Sequence, residues 1–268
     1  MSKGVLYDAT KCIGCRACQV ACKQWNEMPG KPTTNTGSYE NPPNTNAYSL
    51  TKIRFSEVDY DDKFHWVFTK IQCMHCDDPA CAAACLVGAF QKTPEGAVVY
   101  DDHKCIGCRY CMVACPFGIP AYEWDDPMPW IRKCNFCADR QAEGLLPACV
   151  TTCPTGALKF GDREDLIIDA HQRIAAEPGR YVDHVYGESE VGGTSWLYLS
   201  PVPFEMLGMP TVGTEAVTLN VERAMGAVAP VLVGVAAVMS GIYWLVKRRQ
   251  QPEETVAPDD KEQLEVPK

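Results

Sequence analysis

Lys104 to Pro116 reads KCIGCRYCMVACP, with Cys105, Cys108 and Cys111 two residues apart and Cys115 three residues further on. Three thiolates at that interval, carried by one tight loop, address three corners of a single iron–sulfur cube. Cys115 lies too far along the chain to close the same cube. In this spacing such a cysteine ligates a second cluster, so the stretch predicts a partner elsewhere in the chain.

The chain holds 16 cysteines in 268 residues, and they fall into four groups of four. They are Cys12, Cys15, Cys18 and Cys22; Cys73, Cys76, Cys81 and Cys85; Cys105, Cys108, Cys111 and Cys115; and Cys134, Cys137, Cys149 and Cys153. Lys11 to Cys22 reads KCIGCRACQVAC against KCIGCRYCMVAC for Lys104 to Cys115, and Tyr7-Asp8 matches Tyr100-Asp101 upstream. Three groups are followed by a related tetrad: Leu86-Val-Gly-Ala89, Pro116-Phe-Gly-Ile119 and Pro154-Thr-Gly-Ala157. Duplication of one cluster-binding unit leaves this kind of self-similarity.

Zinc needs four tetrahedral ligands and gives no reason for a third cysteine at the same interval in the first and third groups. Disulfides rarely close between cysteines of one tight loop. The cysteines therefore predict four 4Fe-4S clusters, one for each four thiolates. Spacing alone leaves open which groups exchange their fourth cysteine; the second and third groups are close enough in sequence to form one two-cluster unit, with the first and fourth pairing around it.

Four clusters without an open coordination position imply an electron wire. No catalytic constellation accompanies them, because His65, His75, His103, His171 and His184 are scattered. His75, inside Cys-Met-His-Cys, could tune a cluster by hydrogen bonding or face a partner's cofactor, and a structural or solvated role is the simpler account. Lys11, Lys104 and Lys133 precede first cysteines and Arg16 and Arg109 sit within two loops; they either raise cluster potential or are solvated surface cations. A net charge of −9 argues against nucleic acid as a partner.

Around the cysteines, residues 48–55 and 64–71 read as two strands joined by an acidic turn at Asp61-Asp62, after a Pro/Asn/Thr/Gly-rich loop over residues 29–46. A second hairpin is expected over 89–100, turning at Pro94-Glu-Gly96. Apolar residues at helical spacing (Leu166, Ile167, Ala170, Ile174) behind an acidic start predict a helix over 162–177, ended by Pro178-Gly179. Residues 179–222 lack a period and are expected to lie extended on the domain or on a partner. The domain division is thus 1–178 for the clusters, 179–222 for the extended segment, 223–247 for a membrane helix and 248–268 for a polar, disordered tail.

Ala224 to Val246 is a run of 23 residues without a charge, about 34 Å as a helix and enough to cross a hydrocarbon core of about 30 Å. Gly226, Pro230 and Gly234 recur at four-residue spacing, which either builds a close helix-packing face or reflects ordinary small-residue variation. Tyr243 and Trp244 sit where interfacial aromatics belong, and Lys247-Arg248-Arg249 favours a cytoplasmic C-terminus. The cluster domain would then face outward, yet no signal peptide precedes Cys12. Export of the folded, loaded domain by a partner with its own signal reconciles the two; otherwise the domain is cytoplasmic.

The quartets, Trp25-Asn26 beyond the first of them, Phe55-Ser-Glu-Val58, Cys73-Met-His-Cys76, Asp78-Pro79 and the C-terminal helix together resemble the iron–sulfur beta subunit of membrane-bound respiratory formate dehydrogenase. The quartets alone are shared with the wider family serving dimethyl sulfoxide, nitrate, polysulfide and hydrogen enzymes. The resemblance implies a ligand exchange: Cys12, Cys15 and Cys18 with Cys153; Cys134, Cys137 and Cys149 with Cys22; Cys73, Cys76 and Cys81 with Cys115; Cys105, Cys108 and Cys111 with Cys85. Nitrate reductase relatives replace one cysteine by tryptophan and carry a three-iron cluster, whereas Cys108 and its neighbours are all present here. The resemblance further implies a molybdenum or tungsten bis-pterin (molybdopterin) catalytic subunit exported by the twin-arginine route, and a membrane cytochrome b that reduces quinone. It places the chain in a bacterial inner membrane, with the cluster domain periplasmic. Leu86 and Lys23 depart from the proline that often follows a quartet, and residues 196–210 resemble hydrogenase-associated iron–sulfur subunits as much as formate ones, which keeps a hydrogenase role as the alternative. The expected fold is α+β: two interleaved double-cluster ferredoxin-like units with β-hairpin insertions and one C-terminal transmembrane helix.

Overall fold

A computed structural model describes residues 2–249. Met1–Leu219 forms one compact unit and Asn220–Lys268 a second. In chain order the elements of the first are β1 (Lys3–Asp8), α1 (Ala17–Trp25), β2 (Lys52–Tyr60), β3 (Lys63–Ile71), α2 (Ala80–Ala83), β4 (Phe90–Lys92), β5 (Val98–Tyr100), α3 (Tyr110–Ala114), β6 (Ala121–Tyr122), β7 (Ile131–Arg132), α4 (Ala138–Ala142), α5 (Ala148–Thr151), β8 (Leu158–Asp162), α6 (Arg163–Ala176) and β9 (Trp196–Leu199). Mixed strands and short helices bear out the α+β expectation.

The centre is a three-stranded sheet in the order β8-β1-β9, with β8 antiparallel and β9 parallel to β1. Successive side chains of a strand point to opposite faces, and the register Val5↔Trp196, Leu6↔Leu197, Tyr7↔Tyr198 keeps like faces together. Leu6, Leu197 and Leu199 pack against Leu166 and Ala170 of α6 on one face. Val5, Tyr7, Trp196 and Tyr198 join the cysteine side of the core on the other, with Cys18, Cys149 and Phe136. A sheet covered on both faces carries continuous apolar runs, which is why Trp196-Leu-Tyr-Leu199 shows no alternation. The segment expected to lie extended over residues 179–222 therefore contributes a core strand, and its residues up to Leu219 belong to the same compact unit.

The α6 expectation holds to within a residue at each end. The first hairpin is displaced: its strands run Lys52–Tyr60 and Lys63–Ile71 rather than starting at Tyr48. Asn46 explains the delay, because its side chain accepts from the Tyr48 N–H at 2.9 Å and its backbone pairs with Ser49, making a turn where a strand was expected. Asp61 and Asp62 both have positive φ, 53° and 55°, the requirement of the two-residue turn that matches strand twist. The second hairpin pairs β4 with β5 as expected, and β6 pairs with β7. Among the short helices, α1 packs on α5 and α2 on α3.

The last element is α7 (Val217–Arg249). Within it Gly226–Arg249 is long and apolar enough to cross a membrane, with mean hydropathy 1.9 over its apolar window. Lys247, Arg248 and Arg249 occupy its last turn. The tail expected to be disordered, residues 250–268, lies outside the described residues.

Candidate metal centres

The four cysteine groups enter the fold through one repeated backbone conformation. The residue before the second cysteine has positive φ in every group: Gly14 at 67°, His75 at 52°, Gly107 at 70° and Phe136 at 62°. Glycine adopts this geometry freely, whereas His75 and Phe136 hold it against the usual cost of a side chain there. Their rings stack on one another with centroids 4.8 Å apart, so tertiary packing compensates in the two groups that lack glycine. The echo after the fourth cysteine is equally structural. Gly88, Gly118 and Gly156 have φ of 63°, 62° and 63°, and their N–H groups donate to the carbonyls of Cys85, Cys115 and Cys153 at 3.1, 3.1 and 3.4 Å.

These turns bring distant cysteines together. Cys12, Cys15, Cys18 and Cys153 line one cavity with Tyr7, Ile53 and Lys70. Cys22, Cys134, Cys137 and Cys149 line another with Thr51, Lys70 and Trp196. Two further gatherings show in how the thiols act on one another. Burial pushes the Cys76 thiol far up, and Cys73, Cys115 and Cys81 push the same way. Burial pushes Cys111 up to about 11, reinforced by Cys105, Cys108 and Cys85.

Neighbouring gatherings also feel one another. Cys18 is pushed up to about 11 by burial; Lys70 opposes this and Cys149 adds to it. Cys22 reaches about 12 by burial, again opposed by Lys70, with Cys149, Cys137 and Cys18 adding. Cys134 is raised well above the ordinary thiol range by burial and Cys22, and Cys73 reaches it as well. Cys81 is pushed up to about 12 by burial and Cys73, with Cys111 among the lesser causes. Lys70 lines both the Cys12/15/18/153 and the Cys22/134/137/149 cavities, which makes these two sets neighbours.

The donor set fits clustered iron. All 16 cysteines are free thiols, and the raised ones ionise at neutral pH only against a strong positive partner, which bound iron supplies. Backbone amides wait to share the sulfur charge: Gly107, Ala89 and Phe136 N–H groups donate to Cys105, Cys85 and Cys134 Sγ at 3.4, 3.2 and 3.4 Å. Among the described residues no three His, Cys, Asp or Glu side chains converge on one ion.

The flanking cations divide. Lys11 and Lys104 pair with Asp8 at 3.8 Å and Asp101 at 3.0 Å. Arg16 lies over Phe55 at 4.7 Å and Arg109 over Trp124 at 5.2 Å. Lys133 is not solvated: it is buried and donates to the Val98 carbonyl and, at 3.0 Å, to that of Cys134. His75 is fully buried, with Nδ1 accepting from the Val98 N–H at 2.8 Å and Nε2 without a protein partner among the described residues. Of the structural or solvated role expected for it, full burial against Phe136 rules out the solvated one. Sequence reasoning missed Tyr7 and Tyr100: Tyr7 lines the Cys12/15/18/153 cavity and donates its hydroxyl to the Phe68 carbonyl at 2.6 Å, and Tyr100 packs beside Cys105 and accepts from the Ile131 N–H at 3.4 Å; the upstream Tyr-Asp repeat was their signal. Lys70 gave none, since it reads as one more residue of a mixed strand.

A family described as 4Fe-4S dicluster domain matches residues 11–89, and a second of the same description matches residues 64–163. The Formate dehydrogenase-O iron-sulfur subunit of Escherichia coli is 44% identical over 72% of this chain and 65% of its own length. The Hydrogenase-2 operon protein HybA of Escherichia coli O157:H7 is 35% identical over 97% of this chain and 89% of its own. A protein of Nitratidesulfovibrio vulgaris is 48% identical over 93% of this chain and 68% of its own length. The chain therefore spans about two thirds of the formate dehydrogenase subunit it matches.

Proposed function

The chain belongs to the family of ferredoxin-type 4Fe-4S iron–sulfur subunits that includes those of formate dehydrogenases, and from this we propose that it is the electron-transfer subunit of a membrane formate dehydrogenase. Its sixteen cysteines hold four 4Fe-4S clusters in the exchanged sets Cys12/15/18/153, Cys22/134/137/149, Cys73/76/81/115 and Cys85/105/108/111. The units are interleaved in sequence: the first and fourth groups trade their fourth cysteines, and the second and third groups, which lie between them, trade theirs. When bound, each cluster accepts and releases one electron at a time. The chain's own contribution is to fix the spacing of the sets, exclude water from the inner ones and donate amide hydrogen bonds to the sulfurs.

The observation that carries this reading is that cysteines from the two ends of the cysteine-bearing region, Cys12/15/18 with Cys153 and Cys22 with Cys134/137/149, line two neighbouring cavities. Cysteines gathered into successive four-thiol sets make a conductor of electrons. Electrons pass from a molybdenum- or tungsten-pterin catalytic subunit at one end to a membrane cytochrome b and quinone at the other. The apolar helix Gly226–Arg249 anchors the chain in a bacterial inner membrane; the Lys247-Arg248-Arg249 end is cytoplasmic and the cluster unit periplasmic. Export with the catalytic subunit accounts for that placement.

A hydrogenase complex is the second reading, favoured by the alignment with the hydrogenase-2 operon protein, which runs over 97% of the chain where the formate dehydrogenase alignment covers 72%. Anaerobic membranes carrying the chain, given formate or hydrogen separately and followed by electron paramagnetic resonance, decide between them. Cluster reduction by formate alone supports the first reading, and reduction by hydrogen alone replaces it with the second.

A further inference from the structure

Four lysines are largely inside the fold, and they differ in what meets their charge. Lys52 is met by Glu40 and Lys92 by Asp77 at 3.2 Å. Lys133 meets backbone carbonyls. Lys70 is 1% exposed, and every partner of its ammonium among the described residues is neutral: Thr51 Oγ1 at 2.8 Å, Gln72 Oε1 at 2.9 Å and the face of Trp196 at 4.5 Å from the ring centroid. A buried ammonium held by neutral groups alone is costly and persists when opposite charge is close by.

The opposite charge is on the cysteine side. Lys70 lines the cavity of Cys12/15/18/153 and also that of Cys22/134/137/149. Burial lowers its pKa, but Cys149, Cys18, Cys134 and Cys22 outweigh burial and hold it above the ordinary lysine value. Those four sulfurs come from both sets. Strand β3 fixes the residue between them, and Gln72, which also donates to Tyr198 Oη at 2.5 Å, fixes the ammonium.

We propose that Lys70 is a permanent internal cation shared by these two sets and that it raises the reduction potentials of the two clusters they hold. The inference rests on the four-cluster reading above. Each reduction adds one negative charge to a cluster, and a fixed positive charge in a medium of low dielectric stabilises the reduced form more than the oxidised one. Lys70 is a positioning residue in this sense: it carries no electron and sets where the electron prefers to reside. A single side chain touching two cavities also couples them, so both potentials respond to one substitution.

The test is a redox titration of the full chain in its purified complex, followed by electron paramagnetic resonance, for the unaltered protein, Lys70→Met, Lys70→Gln and Lys70→Arg. Iron and labile sulfide in the unaltered protein come first: fewer than four clusters strikes the four-cluster reading, whatever Lys70 does. With four clusters present, Lys70→Met and Lys70→Gln are expected to lower two of the four midpoint potentials by about tenfold in the reduction equilibrium, about 59 mV for one electron. Lys70→Arg should keep both near their original values. Four unmoved potentials in a fully loaded neutral variant, or an equal shift of all four, overturns the proposal. If both neutral variants lose clusters while Lys70→Arg keeps them, positive charge is the requirement and the proposal stands. Equal loss in Lys70→Arg means that shape is the requirement and overturns it.

Discussion

Residues 11–22 and 104–115 are nearly the same dodecapeptide, and the fold treats their backbones alike and their surroundings differently. Arg16 and Arg109 share φ/ψ of 61°/10° and 63°/11°, and each opens a helix. The helices then diverge. Lys23 lets α1 continue for 9 residues with Cys22 buried inside it, whereas Pro116 pulls Cys115 into an extended conformation and ends α3 after 5. Upstream, Asp8 is fully buried and Asp101 is at the surface. Sequence identity thus dictates the loop, and the single residue after the last cysteine, with the elements packed outside the loop, dictates how deep it sits.

The sharpest break in the comparison is at the paired aspartates. Asp8 accepts from Thr10 Oγ1 at 2.6 Å, Thr10 N–H at 3.0 Å, Arg173 Nη1 at 3.1 Å and Tyr181 Oη at 3.1 Å. Asp8→Asn removes the buried carboxylate to which Arg173 and Tyr181 donate, while Arg173 keeps Asp169 at 2.8 Å, and should cost about 1.5–3 kcal/mol. The check is the denaturant midpoint of the loaded chain, followed by the loss of visible cluster absorbance. Asp101→Asn should move that midpoint much less; equal shifts would mean that burial does not distinguish the two repeats.

Next come the loop glycines. A Cβ on Gly14 would lie 2.9 Å from Phe68 Cδ1 and 3.2 Å from Phe55 Cε1, whereas on Gly107 its nearest neighbour would be Tyr122 Oη at 3.4 Å. Both substitutions to alanine incur the left-handed cost of about 1–2 kcal/mol, and Gly14→Ala adds overpacking of about 1–3 kcal/mol. The same denaturant measurement should place Gly14→Ala well below Gly107→Ala. Equal midpoints would show that the β2–β3 hairpin yields to the added methyl.

What could be read from the sequence follows the same division between local and non-local causes. The quartet spacing, the turn before the second cysteine, the glycines at 88, 118 and 156, the helix over 163–176 and the apolar C-terminal helix are local signals and were legible. Strand β9 was not, because Trp196-Leu-Tyr-Leu199 earns its place only through parallel pairing with β1, nearly the whole chain away, and Gly192-Gly193 and Pro201 around it read as irregular structure. The sharing of Lys70 between the Cys12/15/18/153 and Cys22/134/137/149 cavities was hidden for the same reason. Lys70 carried no signal, and Lys133 stayed open between tuning a cluster and standing as a solvated cation, since nothing nearby in sequence announces their burial. Lys11 and Lys104, whose partners are three residues away, are the cations whose setting was closest to the surface reading.

A smaller difference separates the two arginines. Arg16 is half-buried over Phe55 and also donates to the Tyr39 carbonyl, while Arg109 is exposed over Tyr122 and Trp124. Arg16→Ala should cost about 1 kcal/mol and Arg109→Ala about 0.5 kcal/mol. A double-mutant cycle with Phe55→Leu isolates the stacking contribution of Arg16, and a coupling of zero would assign the effect to the carbonyl contact alone.

The smallest effect belongs to Asp101, and its sign can be worked out. The hydrogen bond from Lys104 holds the Asp101 carboxyl below its ordinary value; slight desolvation opposes this, and the Lys104 charge and the His103 N–H add to the lowering. The folded chain therefore prefers the ionised form more than the unfolded chain does, so the contribution is fully present above the unfolded carboxylate value of about 3.9 and is lost as pH falls through the lower folded value. Unaltered protein and Asp101→Asn should keep a constant midpoint difference from about pH 5 upward, and the two should converge as the pH drops below about 4. Salt should shrink the same difference at neutral pH, because the pair is exposed to screening. A difference that persisted at low pH and in high salt would mean that Asp101 acts through the amide of His103 rather than through charge, and the exposed repeat would then resemble the buried one, where Asp8 holds the backbone of Thr10.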